Sequence, residues 1–305
     1  MNNIQILSDY IKAITKNICI DETIDLDLVI SGGAFNGTYA IGSVMLIKQL
    51  ELENKIKVDK ISACSIGSIV GLSYIMNNFN MTNQLFVELK KCLKINSNAA
   101  CLREIVSKCV YLFFKSDEKM KTLLNNRFYL SYNDISDCSF HVIKEYTDRE
   151  HLIDCMTRTM FVPYLINGSL KLDNRYIDGI YPYIFKNSDK KVLYVELIKD
   201  STDLMKCIVT QKEKNEHYRV IQGVSDAAKF FQNEGSERLS WYGDWSIIKI
   251  AKYNIIYLTL MIIVILLDFL SSINIPTSIK ESKLMTLVQT SVIKTVKDIV
   301  SKLHD

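Results

Sequence analysis

Six of the eleven glycines in this 305-residue chain fall inside one 40-residue window: Gly32, Gly33, Gly37, Gly42, Gly67 and Gly71. An even spread would place about 1.4 there. A chain so sparing with glycine puts it where the backbone must take a positive φ or approach something closely. The residues between the glycines say what is approaching. LDLVIS at residues 26–31 is a short β-branched run stopped by Gly-Gly, which predicts a buried strand, and residues 38–50 follow as a helix. KVDKISAC at 57–64 repeats the strand pattern and 66–76 the helix. A β-loop-α-β-turn-α order requires a parallel sheet with right-handed crossovers.

The rest of the chain is read more coarsely. Residues 4–18 carry apolar side chains at a helical period, and residues 80–127 are helical with no clear strand. The run 110–114 fits either a core helix or a lid. CSFHVIKEY at 138–146 reads as a strand, HLIDCMTRTM as a helix ended near Pro163, LKLDNRYIDG as a strand or hairpin, and KVLYVELI at 191–198 as a strand. A helical, polar stretch then runs to Gln232.

Charge and cysteine usage narrow the function classes. A net charge of +3, with no basic cluster interleaved with aromatics, argues against nucleic acid as a partner. The eight cysteines form no C-x-x-C pair and the N-terminus has no secretory signal, so reduced thiols on the cytoplasmic side of a membrane are expected. Four scattered histidines give no zinc pattern, and neither a metal nor a cofactor is expected.

Three segments could carry chemistry. SGGAFNG, residues 31–37, sits between strand and helix, where backbone N–H groups can hold an anion. As a nucleotide loop it is incomplete: Asn36 and Thr38 are not the lysine of a P-loop, and Ala34 replaces the second glycine of a dinucleotide fingerprint. ISACSIGSIVG places Ser65 directly between a strand and a helix with Gly67 two residues on, the turn that exposes a nucleophilic serine. Ala63 stands where such elbows have their first glycine. YIDGIYPY offers Asp178 beside Gly179, either an Asp-Gly turn or a carboxylate able to accept the Ser65 proton. A Ser-Asp-His triad would have to use His217, the only histidine in the right chain order before the apolar C-terminal region.

A glycine-rich loop after the first strand, a serine elbow after the second and a late Asp-Gly together resemble the patatin-like phospholipase family. The resemblance covers roughly residues 25–198, including HLIDCMTRTMFVPYLING, and it implies a three-layer α/β sandwich with a mainly parallel central sheet. It also implies a serine lipid acyl hydrolase of phospholipase A type, with Ser65 as nucleophile, Asp178 as base and Gly32, Gly33 and Ala34 as the oxyanion loop. Gly37, Gly67 and Gly179 support these turns. Asn36 stands where the family usually has Arg or Lys, and Ala63 is the second departure. Both motivate the alternative, a catalytically impaired relative that binds membranes or a partner.

The expected organisation is an N-terminal helix at 1–24, a catalytic domain at 25–235 with a helical insertion at 80–130, and a membrane-associating region at 236–305. In the last, Trp241, Tyr242 and Trp245 precede an apolar run from 255 to 267, and Asp268 interrupts a window that continues to 273. The run is short for a span and fits a buried core helix too; Lys249, Lys252 and the aromatics favour membrane contact. Residues 284–303 form a basic amphipathic stripe suited to an anionic bilayer or to packing on the body. Phospholipid or acylglycerol is the expected substrate; oligomeric state is not predicted.

Overall fold

The computed structural model describes residues 3–96, 99–199 and 216–272. Seven strands form one sheet: β1 (Ile24–Ile30), β2 (Ile56–Ala63), β3 (Phe128–Asp134), β4 (Ser139–Ile143), β5 (Tyr176–Ile177), β6 (Lys191–Val195) and β7 (Leu239–Trp241). The order is β4-β3-β2-β1-β6-β7, with β5 paired to β3. The central strands β3, β2, β1 and β6 run parallel, and β4, β5 and β7 close the borders antiparallel. Nine α-helices lie among the described residues: α1 (Asn3–Lys16), α2 (Gly37–Leu52), α3 (Ile66–Met76), α4 (Phe79–Asn96), α5 (Leu102–Phe113), α6 (Asp117–Leu124), α7 (Arg149–Thr159), α8 (Glu216–Phe231) and α9 (Ile247–Ser272). The expected mixed α/β fold with a mainly parallel sheet is what the chain adopts.

Strand side chains alternate between faces, and the alternation separates two cores. Leu26, Leu28 and Ile30 of β1 and Leu193 and Val195 of β6 enter the larger core with the helices, whereas Val29, Val192 and Tyr194 enter a smaller one with Ile184, Phe185 and Trp245. The second face is therefore covered by the segment after Gly179 and by α9. Helices α2 and α3 are buried on nearly all sides, which is why neither shows an amphipathic stripe. Helix α2 also packs very closely on α8. A Cβ added at Gly42 would lie 1.9 Å from the Val220 carbonyl oxygen, and one at Gly223 would lie 2.0 Å from that of Tyr39.

Three readings are corrected. The helical insertion does not reach residue 130: α4 to α6 end at Leu124, and FYLSYND forms β3. Its alternation of Phe128, Leu130 and Tyr132 with Ser131 and Asn133 resembles a half-exposed segment, yet Ser131 and Asn133 are fully buried. Cys92 and Cys101 form a disulfide rather than staying reduced. Trp245 is not free to act as an interfacial anchor: it is 8% exposed, and its indole N–H donates to Ser240 Oγ at 2.9 Å. Residues 110–114 end α5 with Val110, Phe113 and Phe114 buried, the core option of the two considered. The basic stripe at 284–303 lies outside the described residues.

Helix α9 is long and apolar enough over Ile247–Phe269 to cross a membrane by length and composition. One stripe of it nevertheless packs on the body: Ile250 and Tyr253 in the smaller core, then Tyr257, Met261, Val264 and Ile265 against Ile135, Ile177 and Ile180. Asp268, the polar break in the apolar run, pairs with Lys171 at 2.6 Å.

Gly42→Ala puts a methyl group into the α2–α8 backbone contact, and overpacking of this kind costs about 1–3 kcal/mol. Thermal unfolding followed by circular dichroism is expected to show a midpoint several degrees lower; an unchanged midpoint would mean that the crossing is loose.

Candidate active site

Adjacent parallel strands end side by side, and the loops that leave them must meet there. The glycine-rich loop leaves β1 and the Ser65 turn leaves β2, at the carboxyl ends where open α/β sheets place their sites. Gly32 faces Ser65: a Cβ there would stand 3.0 Å from Ser65 Cβ. A Cβ at Gly67 would stand 2.7 Å from the Ser31 carbonyl oxygen and 2.8 Å from that of Ile30, so α3 can start here only with glycine.

The backbone strain falls on the serine itself. Ser65 has φ 51° and ψ −134°, a region L-residues avoid at a cost of about 1–3 kcal/mol. Its N–H is held twice by Thr159, by the carbonyl oxygen at 3.1 Å and by Oγ1 at 3.0 Å, and Thr159 Oγ1 donates onward to the Ser131 carbonyl at 2.5 Å. Ser68 Oγ donates to the Ser65 carbonyl at 2.6 Å. Ala63 ends β2 in register with Ile30 and Leu130 and is not among the residues with positive φ. Its side chain therefore meets no backbone conformation that would require glycine.

The glycine-rich loop is fastened to the end of β6. Ser31 N–H donates to the Val195 carbonyl at 3.0 Å, Ser31 Oγ accepts from Leu197 N–H at 2.7 Å, and Asn36 Nδ2 donates to the Leu197 carbonyl at 2.8 Å. Leu197 packs so closely that a Cβ at Gly33 would lie 2.3 Å from its own. Ala34 takes φ 44°. Among the described residues, no acceptor receives the N–H of Gly33 or of Ala34. Asn36 is buried at the start of α2, where its Oδ1 accepts from Arg219 Nη1 at 3.0 Å. The loop thus gains an arginine contact from α8 although position 36 is not basic. Gly37 opens α2 in ordinary helical geometry.

Asp178 follows β5. Its N–H donates to the Phe161 carbonyl at 2.9 Å, its carbonyl accepts from Asn133 Nδ2 at 2.8 Å, and its Oδ1 accepts from Ile180 N–H at 2.8 Å. Gly179 is wedged against β3: a Cβ would lie 2.3 Å from the Ser131 carbonyl oxygen and 2.9 Å from Cys64 Cβ. Burial pushes the Asp178 carboxyl from its ordinary 3.8 up to about 6, against the Ser65 hydroxyl and the Ile180 N–H, which both favour the ionised form. Asp178 Oδ2 is buried without an aligned donor, so the Ser65 hydroxyl lies close to the carboxyl but not in a well-formed bond. Such looseness is common before substrate binds. Burial, and then the Asp178 charge, push the neighbouring Cys64 thiol up, which keeps it protonated.

The structure thus brings Ser65, Asp178, Gly32, Gly33 and Ala34 to one place, with Asn36, Gly37, Gly67 and Gly179 bracing them. Thr159, Asn133, Leu197 and Arg219 were not singled out from the sequence. Each reaches Ser65, Asn36 or Asp178 across at least 45 positions of sequence, a relation that no local pattern carries. Among the described residues, no histidine hydrogen-bonds to Ser65 or Asp178; the His217 side chain lies outside them. Asp134, Asp137 and His141 converge elsewhere, with Asp134 already engaged by Arg175 and Ser136. Ser65 and Asp178 are each only 7% exposed, and a cleft of about 690 Å³ opens instead on the α8 side of Asn36.

The family model for patatin-like phospholipase matches residues 28–181, just over half of the chain and the whole stretch from β1 to the Asp178 turn. Among curated proteins none matches the sequence.

A carboxyl whose pKa is raised on folding contributes stability below its ordinary pKa and loses that contribution as pH rises to about 6. The shift is worth on the order of 3 kcal/mol at pH 7. Asp178→Asn is therefore expected to raise the unfolding midpoint at pH 7.5 and to leave it nearly unchanged at pH 4. A lower midpoint at pH 7.5 would show that the charge is compensated.

Proposed function

The chain belongs to the patatin-like phospholipase family, and from that premise we propose a serine lipid acyl hydrolase in which Ser65 and Asp178 form a dyad. The observation that carries the reading is the strained Ser65 backbone, held beside a buried carboxyl and against a glycine-rich loop in which, among the described residues, the Gly33 and Ala34 N–H groups have no acceptor. Family membership supports lipid hydrolysis in general; the dyad, the oxyanion loop and the phospholipase A type are proposed.

In this mechanism Asp178 takes the proton from Ser65 Oγ as the oxygen attacks the ester carbonyl carbon, and the carbonyl π electrons move onto oxygen. The oxyanion is held by the Gly33 and Ala34 N–H groups, donors that need not reorganise because the loop is bolted to Leu197. Collapse of the tetrahedral adduct expels the alcohol oxygen, which takes the proton back from Asp178. Water then attacks the acyl-Ser65 ester with Asp178 again as base, releasing the fatty acid and regenerating the serine. A carboxyl with a pKa near 6 suits both directions of transfer at neutral pH.

The membrane reading concerns α9. Ile255, Leu258, Ile262, Leu266 and Phe269 on its outer side are each more than half exposed, while the opposite stripe is committed to the body. A helix packed lengthwise on a globular domain lies along a bilayer rather than through it, with its apolar face immersed and Lys249 and Lys252 near its start. Phospholipids or acylglycerols in that surface are the proposed substrates.

Two tests follow. A fluorophosphonate probe is expected to label the wild type and not Ser65→Ala, and Asp178→Asn should lose fatty-acid release from phospholipid vesicles. Wild-type kcat/KM should fall below about pH 6 as Asp178 becomes protonated. A wild type that neither labels nor hydrolyses would favour the impaired, membrane-binding alternative. The pair Leu258→Glu and Leu266→Glu should abolish sedimentation with anionic vesicles while leaving the unfolding midpoint in place; continued sedimentation would locate attachment elsewhere.

A further inference from the structure

The apolar C-terminal helix reaches the main chain of Asp178 by a continuous polar path. Tyr257 Oη of α9 donates to Asn133 Oδ1 at 2.6 Å, and Asn133 Nδ2 donates to the Asp178 main-chain carbonyl at 2.8 Å. Asn133 is fully buried on β3, where an unmatched amide would be costly, so both bonds have structural weight. Both donors point toward Asp178, and hydrogen bonds in such a chain strengthen one another.

The turn that this path holds is strained. Ile180 has φ 60°, an outlier for a β-branched residue, and its N–H is the one that binds Asp178 Oδ1. The Ile180 side chain joins the apolar cluster in which Met261, Tyr257, Val264 and Ile265 of α9 meet Ile135 and Ile177. Next to it, Tyr181 lies against Tyr253 with ring centroids 4.0 Å apart. Thus α9 holds the Asp178 turn both by a hydrogen-bond chain and by the apolar cluster and ring contact that take in Ile180 and Tyr181. The outer side of the same helix is the exposed apolar surface that a bilayer would cover.

We propose that Tyr257 and Asn133 are positioning residues that hold Asp178 through α9, so that seating α9 at a lipid surface steadies the catalytic base. This rests on the dyad reading above. It assigns α9 a role in the rate as well as in attachment, because a strained turn relaxes when its clamp loosens, and small misplacements of a reacting group are expensive in rate.

The test uses the full chain. Tyr257→Phe keeps the ring and removes only the hydroxyl. With p-nitrophenyl butyrate as a soluble ester, kcat is expected to fall about fivefold, the factor that one hydrogen bond's net worth corresponds to, with KM unchanged. Fluorophosphonate labelling of Ser65 should slow by the same factor. Asn133→Ala should show the same split, and the double variant should be no slower than Asn133→Ala alone. In parallel, amide hydrogen exchange at residues 178–181 is measured with and without phosphatidylcholine–phosphatidylglycerol vesicles. Vesicles should slow exchange there in the wild type and not in Tyr257→Phe.

The outcomes separate the two readings. Exchange coupling in a wild type that neither labels nor hydrolyses would leave the clamp standing and remove the hydrolase. An active wild type in which Tyr257→Phe alters neither kcat nor exchange would remove the clamp and leave the hydrolase. A faster Tyr257→Phe would also overturn the proposal, since α9 would then be an obstruction over the dyad.

Discussion

The Ser65 main-chain N–H, bonded to both the carbonyl and the hydroxyl of Thr159, is the contact on which the rest of this site depends. A serine at φ 51° would relax if its neighbours allowed it. Thr159 prevents that from the far side of the sheet's end, and its carbonyl also lies 3.4 Å from the Gly179 N–H. One residue at the end of α7 therefore ties the Ser65 turn to the Asp178 turn. Since Thr159 Oγ1 is also anchored on β3 through the Ser131 carbonyl, three separate segments share a single hydrogen-bonded hub.

The glycines serve this convergence in a way that differs from a simple appeal to conformational freedom. In the described structure the positive-φ glycines are Gly168 and Gly235, both away from the site, while the positive φ values at the site belong to Ser65, Ala34 and Ile180. Gly33, Gly67 and Gly179 are there because another chain segment occupies the volume of a side chain. The strain is carried by residues with side chains, and space is made by residues without them. This explains why Ala63 needs no glycine: it is a strand residue with room for a methyl group, and the unusual dihedral falls two positions later.

How legible this was in the sequence depended on the reach of each interaction. The strands and helices from β1 to α3, and the placing of Ser65 between β2 and α3, could be read because apolar runs bounded by glycine are local signals. β3 could not: its polar residues Ser131 and Asn133 look solvent-facing until the Tyr181 carbonyl, the Asp178 carbonyl and the Tyr257 hydroxyl are brought to them. Asn36 could be recognised as a departure from the family pattern, but not its link to Arg219, 183 residues on. The disulfide between Cys92 and Cys101 was hidden for the opposite reason, since a nine-residue separation without a C-x-x-C pattern gives no indication of geometry.

The apolar run after residue 253 was open to two readings, a membrane segment and a core helix, because composition registers how hydrophobic a helix is but not what faces each side. α9 has both characters. Its inner stripe behaves as core, matched to Ile135, Ile177 and Ile180, and its outer side is exposed hydrocarbon. Asp268 belongs to the inner side, paired with Lys171 of the body and partly hydrated. A helix so divided cannot satisfy one side without holding the other in place. Its inner polar contact, Tyr257, leads through Asn133 to the main chain of Asp178, so a force on the outer side is borne by the same helix that holds the Asp178 turn.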